Sequence, residues 1–186
     1  MIFIFLFAVL TAQGQSRESK ADPIVTVCEL LSHPLDHDGK LIRVKGALNA
    51  NDEGTWLISA ECPGAMVTED HVWPSWIALT EATSPLRLHS VDFNFDAEGA
   101  RRINEKAAKL RKTVSYECML WTFTGLFETR RDWSKFKDSR YKGSDGTTRY
   151  IGFGHLSQAP AELLVKSKDD VTIIRDCGNQ NEIKQR

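Results

Sequence analysis

The 186-residue chain lacks the motifs by which the common enzyme classes are recognised. It has no G-x-S-x-G nucleophile motif, no H-E-x-x-H zinc motif, no P-loop and no G-x-G-x-x-G dinucleotide motif. Its charge is also nearly balanced, with 24 Lys and Arg against 25 Asp and Glu. No overall field therefore draws the protein to nucleic acid or to an anionic membrane. A hydrolase is disfavoured, and any partner must be recognised by a local feature.

The one strongly apolar segment of the chain carries no charged side chain and is short. Residues 1–15 carry no charged side chain, and the apolar run Ile2 to Leu10 is about half of the roughly 20 residues that cross a bilayer. The small residues Ala12 and Gly14 fit a cleavage site before Gln15. We predict a signal peptide at 1–14, a flexible lead-in at 15–25, a domain at 26–176 and a polar tail at 177–186. The mature chain would have no transmembrane segment and would be periplasmic or extracellular.

The four cysteines include no C-x-x-C pair, which disfavours a zinc ribbon or a thioredoxin-like redox motif. An even number of cysteines in an exported chain favours disulfides, because the compartment is oxidising. Four cysteines allow three sets of pairings. We expect Cys28 to pair with Cys62, which would tie an N-terminal helix to the second strand. The pairing of Cys118 and Cys177 stays open, since Cys118 lies in an apolar strand and can also be a buried thiol.

Hydrophobic periodicity predicts an all-β domain with accessory helices. A short helix begins at Thr26, and an amphipathic helix follows the N-cap candidate Asp96. Period-2 or β-rich runs predict five strands, with the second helix between the third and the fourth, at 41–46, 55–61, 72–80, 114–127 and 163–174. This order is typical of a five-stranded Greek-key barrel of the OB type.

Several short stretches carry a resemblance to known proteins. They are VCELL at 27–31, DGK at 38–40 with LIRVKG at 41–46, ECPG at 61–64, TGLFET at 124–129 and GFGHL at 152–156. Together these stretches resemble a group of small exported bacterial domains that are OB-like and have no assigned function. The resemblance implies a fold and a compartment, and it carries no activity.

The distribution of charge along the chain is uneven. From Asn51 to Leu86 there is no Lys or Arg against six acidic residues. These residues include the second and third predicted strands, which form the main oligonucleotide platform of OB folds. Such a platform needs cations to neutralise phosphates. Nucleic acid is therefore not an expected partner.

The predicted loop at 128–150 has the opposite character. It carries seven basic and four acidic residues, with Trp133, Phe136, Tyr141 and Tyr150 between them. Cations beside exposed rings suit an anionic or sugar-like ligand, such as an anionic cell-envelope molecule, or a protein partner. The alternative is a solvated loop whose rings pack back on the barrel. We predict a non-enzymatic contact surface with an exposed Trp133 ring at its centre, formed by Arg130, Arg131, Trp133, Lys135 and Tyr141. No cofactor and no metal is expected.

The alternative is a small secreted metal-dependent enzyme, such as a nuclease-like OB hydrolase. Asp92, Asp96, Arg101 and Arg102 are its candidate residues, although a helix cap and a solvated helical face explain them more simply. The segment 33–38 holds two histidines and two carboxylates, but a closed metal site needs four converging ligands. A solvated turn is the expectation there, and His155 is expected to hold a backbone carbonyl.

Overall fold

The computed structural model describes residues 23–59, 62, 66–69, 71–81, 86–88, 91–142, 146, 148–174 and 177. The expected signal peptide and most of the expected tail lie outside the described residues. Within the described part of the chain, no helix is both long enough and apolar enough to span a membrane.

The described residues are mostly β-structure. The helices are α1 (Val27–Ser32), α2 (Pro34–His37) and α3 (Ala97–Leu110). The strands are β1 (Ile24–Thr26), β2 (Leu41–Asn51), β3 (Gly54–Ile58), β4 (Val67–Thr68), β5 (His71–Val72), β6 (Trp76–Glu81), β7 (Leu86–Leu88), β8 (Val91–Phe93), β9 (Met119–Thr129), β10 (Lys137–Lys142), β11 (Thr148–Tyr150) and β12 (Ala161–Ile173).

Six strands form one mixed sheet in the order β1-β2-β3-β6-β12-β9. The β2–β3, β3–β6, β12–β9 and β2–β9 pairs are antiparallel, whereas β12 lies parallel to β6. Because β9 pairs with both β12 and β2, the pairings of β2, β3, β6, β12 and β9 return to the strand at which they begin. The remaining strands form three separate pairs, β4–β5, β7–β8 and β10–β11.

Local sequence explains the principal elements. In β2, Ile42 and Val44 are buried while their neighbours are only partly buried, as period-2 alternation predicts. Thr26 caps α1 in a capping box, in which the Thr26 side chain accepts from the Glu29 N–H and Glu29 accepts from the Thr26 N–H. Asp96 caps α3 by accepting from the Gly99 N–H, which confirms the predicted N-cap.

The main hydrophobic core lies on one face of the sheet strands. It joins α1 and α3 to the buried side chains of β2, β3, β6, β9 and β12. Its largest fully buried members include Leu57, Ile77, Phe123 and Phe127. Packed side chains of the helices and strands therefore fill this face, and they hold the helices against the sheet.

A second cluster, which we call the aromatic layer, covers the other face of β3 and β6. Trp56 and Ala78 belong to it, whereas their neighbours Leu57 and Ile77 belong to the main core, and successive strand side chains point to opposite faces. The aromatic layer consists of Trp73, Ala78, Trp133, Tyr150, Phe153 and Ala159, with Trp56, Met66, Trp76 and Phe136 packed against them.

Two disulfides hold peripheral segments of the chain against the sheet and its helices. Cys28 in α1 is bonded to Cys62, the pair expected from the sequence. Cys118 is bonded to Cys177, a pairing that the sequence left open, and it is therefore not a free buried thiol. Cys118 immediately precedes β9, and the bond brings the start of the expected tail onto the sheet. Two disulfides fit an oxidising, exported environment.

Four predicted segments differ from the structure. The predicted fourth strand at 114–127 begins only at Met119, because Tyr116–Cys118 form a 3₁₀ turn before β9. Ile24 and Val25, which we placed in the flexible lead-in, form β1 and pair with β2. The predicted third strand at 72–80 is divided, because Val72 ends the β4–β5 hairpin and β6 begins at Trp76. The predicted loop 128–150 contains the end of β9, a 3₁₀ turn at Trp133–Phe136 and the β10–β11 pair.

Candidate functional site

One cavity lined by described residues has a volume of about 740 Å³. This size is within the range of ligand pockets in proteins. Three segments line it, namely residues 31–36 from α1 and α2, residues 66–69 at β4, and residues 130–134 that follow β9. The last of these segments contains three of the five residues that the sequence predicted as a contact surface, Arg130, Arg131 and Trp133.

The segment 31–36 is shaped by a helix boundary. His33 ends α1 through its backbone N–H, which donates to the Glu29 carbonyl, and Pro34 occupies the first turn of α2. Proline is well tolerated there because its missing N–H would have no helical acceptor. The Cys28–Cys62 disulfide fixes α1 to Cys62, which precedes the start of β4 by five residues. The disulfide therefore connects two of the three segments that line the cavity.

The segment 66–69 is held by the turn of the β4–β5 hairpin. Glu69 adopts a positive φ of 52° in this turn, and its carboxylate accepts hydrogen bonds from the Tyr150 hydroxyl at 2.7 Å and from Lys137 Nζ at 2.6 Å. Lys137 and then Tyr150 hold the pKa of Glu69 below its usual value. The Trp73 indole also donates to Thr68 Oγ1 at 2.9 Å. These bonds anchor the hairpin to the aromatic layer.

Arg130 is the best-organised cation at the cavity. Its guanidinium lies between two phenyl rings, 4.2 Å from the centroid of Phe136 and 4.1 Å from that of Phe153. Its Nε is buried without an acceptor, and no described residue forms a hydrogen bond or ion pair with the guanidinium. Glu162 interacts with it only through the longer-range electrostatic field. The rings therefore hold a guanidinium whose hydrogen-bonding capacity is unused within the described structure.

The other predicted cations are committed to partners. Arg131 Nε donates to Asp38 Oδ2 at 2.9 Å, and Lys135 Nζ lies 3.4 Å from Asp132 Oδ2. The side chains of Arg131 and Lys135 are 74% and 75% exposed, so solvent screens both cations, although Asp38 itself is only 11% exposed. Tyr141 lies in β10, and its side chain is outside the described residues.

Trp133 does not have the exposed ring that we predicted. It is only 8% exposed, and its ring centroid lies 4.4 Å from that of Trp73. Asp132 positions it by accepting from the Ser134 N–H at the start of the 3₁₀ turn. The prediction of an exposed Trp133 was wrong because residues from distant parts of the chain supply the aromatic layer that covers it.

Acidic side chains also line the cavity. Asp36, Glu69 and Asp132 accompany Arg130, Arg131 and His33. Hydrogen bonds from Ser134, and then Lys135, hold the pKa of Asp132 below its usual value. Because Asp132 and Glu69 both favour the ionised form, the cavity combines one well-ordered guanidinium with fixed negative charge nearby.

The residues of the enzyme alternative have other roles in the structure. Asp96 caps α3, Arg101 is paired with Glu98 and Glu105 along that helix, and Arg102 is 3.4 Å from Glu98. The side chain of Asp92 lies outside the described residues. His33 and His37 belong to the boundary between α1 and α2, and the described residues contain no group of three or more potential metal ligands.

The two residues that organise Arg130 could not be recognised from the sequence. Phe136 and Phe153 lie six and 23 residues beyond it, and neither spacing signals a common site. The glycines around Phe153 were a usable signal. A Cβ on Gly152 would lie 2.3 Å from the Ala159 carbonyl oxygen, and Gly154 has a φ of +77°. Both positions require glycine, so the GFG stretch marks a tight loop that places Phe153.

Comparisons with known proteins leave the site to be interpreted from its own geometry. No protein-family model matches the chain, and no curated protein or solved structure matches it either.

Proposed function

We propose that this protein is an exported, non-enzymatic binding domain with an OB-type barrel. It holds an anionic group of a cell-envelope molecule or of a protein partner at the cavity beside Arg130. The segment after β9 is then the contact surface, and the guanidinium of Arg130 is its central binding group.

The strand pairings support the barrel. The circuit β2-β3-β6-β12-β9 has four antiparallel pairs and one parallel pair, and α3 comes between its third and fourth strands in chain order. These are the features that we expect of a five-stranded Greek-key barrel of the OB type. The apolar leader and the two disulfides support export, with a periplasmic or extracellular location.

The observation that carries the binding proposal is the state of Arg130. A guanidinium held between two rings has already lost side-chain freedom, so an incoming carboxylate or phosphate does not have to immobilise it. Its planar edge can form two parallel hydrogen bonds to such an anion. Within the described residues no carboxylate occupies that edge, in contrast to Arg131, which is paired with Asp38.

Nucleic acid fits this site poorly. The aromatic layer covers the outer face of β3 and β6, where an OB fold of the usual kind stacks bases. The chain from 51 to 86 adds six acids and no cation. A partner must therefore be recognised at the edge of the aromatic layer and not on the strands beneath it.

The proposal is tested by nuclear magnetic resonance on the mature, disulfide-bonded protein labelled with ¹⁵N. The Arg130 Nε–H signal, assigned by its loss in Arg130→Met, should shift saturably on titration with acetate or inorganic phosphate at constant ionic strength. Arg102, an exposed cation on α3, supplies the internal control signal and the control variant Arg102→Gln. Equal shifts at Arg102, or no saturable shift at Arg130, would refute the proposed site.

A further inference from the structure

The cavity has an apolar rim in addition to its guanidinium. Leu35 and Val67 line it from different segments and are 52% and 60% exposed, and Val72, which pairs with Val67 across the hairpin, is 64% exposed. Single exposed apolar side chains are common, but two at one cavity, with Val72 beside Val67 in the adjoining hairpin, form a surface that favours apolar contact. A small hydrophilic anion would leave this rim exposed to water.

The polar groups of the lining have defined hydrogen-bonding capacity. The hydroxyls of Ser32 and Ser134 donate to the Cys28 carbonyl and to Asp132, which leaves oxygen lone pairs able to accept. Thr68 Oγ1 accepts from the Trp73 indole, which leaves its own proton available to donate. Acceptors and a donor between apolar side chains match the alternating N–H and C=O groups of a peptide, whereas a hydrocarbon tail would leave them without partners.

The fixed negative charge limits the charge of the ligand. Glu69 and Asp132 are held ionised by their hydrogen-bond donors, and both line the same cavity as Arg130. A single carboxylate can be matched by the Arg130 guanidinium. These neighbours favour a single carboxylate over a dianionic phosphate or a second carboxylate.

We infer that the ligand of this cavity is the carboxyl-terminal end of a peptide whose last side chains are apolar. Its terminal carboxylate pairs with Arg130, and its side chains pack on Leu35 and Val67. This inference rests on the proposed function, because it specifies the partner of the same site.

The test compares four probes on the ¹⁵N-labelled protein: an N-acetylated Ala-Val-Leu tripeptide with a free carboxyl end, the same tripeptide as its amide, decanoate, and acetate. The free-acid peptide should bind about 10-fold or more tightly than its amide, as expected for a hydrogen-bonded charged group. It should also bind more tightly than acetate and decanoate. The Arg130 Nε–H signal should report saturation in the wild type, and the backbone amide signals of residues 31–36 should report it in every variant, including Arg130→Met.

Variants of the protein distinguish the apolar contacts of the ligand from its carboxylate contact. Leu35→Ser, at an exposed position, should weaken peptide binding about four-fold or more, the value of one buried methylene group, and should leave acetate binding unchanged. Arg130→Met should weaken the free acid about 10-fold and leave the amide unaffected. Arg102→Gln should bind every probe as the wild type does.

Each outcome supports or overturns a distinct claim. If acetate shifts the Arg130 signal saturably but the peptide binds no better than acetate, or if the amide binds as well as the acid, the inference is wrong and the proposed anion site remains. Tighter binding of decanoate would replace the peptide with a fatty acid. If no probe gives a saturable shift at Arg130, the inference and the proposed function both fail.

Discussion

Replacement of Trp133 by alanine is the sharpest test of the aromatic layer, because the sequence and the structure predict opposite results. A loop ring exposed to solvent would contribute little to the free energy of unfolding. The structure instead places Trp133 at 8% exposure, with its centroid 4.4 Å from that of Trp73 and 6.1 Å from that of Tyr150. Trp133→Ala should therefore destabilise the fold.

The magnitude follows from two opposing effects. Deletion of a buried tryptophan side chain costs about 3–5 kcal/mol. The Trp133 indole N–H is itself buried without an acceptor, and its removal recovers part of the desolvation penalty. We expect a loss near the lower limit, about 3 kcal/mol, which for a domain of this size lowers the melting temperature by roughly 6–12 °C.

The assay is urea unfolding of the disulfide-bonded protein, with thermal melting as a second measurement. Trp133→Phe is the matched control, because it keeps an aromatic ring and removes the unpartnered N–H. It should change the free energy of unfolding by less than about 1.5 kcal/mol. A loss below about 1 kcal/mol for Trp133→Ala, with an unchanged urea dependence, would show that the ring is not packed as described.

Two further predictions concern covalent and ionisable groups. Intact-mass analysis should find no free thiol. The double variant Cys28→Ser/Cys62→Ser should lose roughly 4 kcal/mol of stability and also peptide affinity, whereas Cys118→Ser/Cys177→Ser should lose stability alone. Unchanged peptide affinity in Cys28→Ser/Cys62→Ser would contradict the role of the Cys28–Cys62 bond at the cavity. Burial raises the pKa of Glu162 above its usual 4.5, so the folded state favours the protonated acid and its stability falls as pH rises through that range. Glu162→Gln should thus melt above the wild type at neutral pH and close to it below the unfolded pKa, and an equal difference at both pH values would refute this assignment.

Local patterns were sufficient for the elements that depend on neighbouring residues. The alternation of β2 and the Asp96 cap of α3 were predicted correctly because each is determined within a few positions of the chain. The pairing of Cys28 with Cys62 was expected from cysteine number and position. The partner of Cys118 could not be found in this way, because an apolar surrounding suits a buried thiol as well as a disulfide.

Whether the aromatic side chains after β9 are exposed or buried could not be predicted, for a different reason. Aromatic residues between cations are compatible with an exposed contact surface or with a covered cluster, and the local sequence is the same in both cases. The deciding partners, Trp73 and Phe153, come from segments about 60 and 20 residues away from Trp133. Only the tertiary fold brings them together, so the sequence located the cavity segment but assigned the wrong role to its tryptophan.

The aromatic layer links stability and binding at this site. Trp133 supports the 3₁₀ turn that carries Phe136, and Phe136 and Phe153 in turn hold the guanidinium of Arg130. A variant such as Trp133→Ala should therefore weaken both folding and ligand capture, and loss of capture in that variant could not identify a contact residue. Arg130→Met separates the two effects, because the methionine side chain can remain between the rings while the charge and its donors are removed. If Arg130→Met melts near the wild type yet loses the free-acid peptide, the rings serve to position the guanidinium and the guanidinium serves to bind.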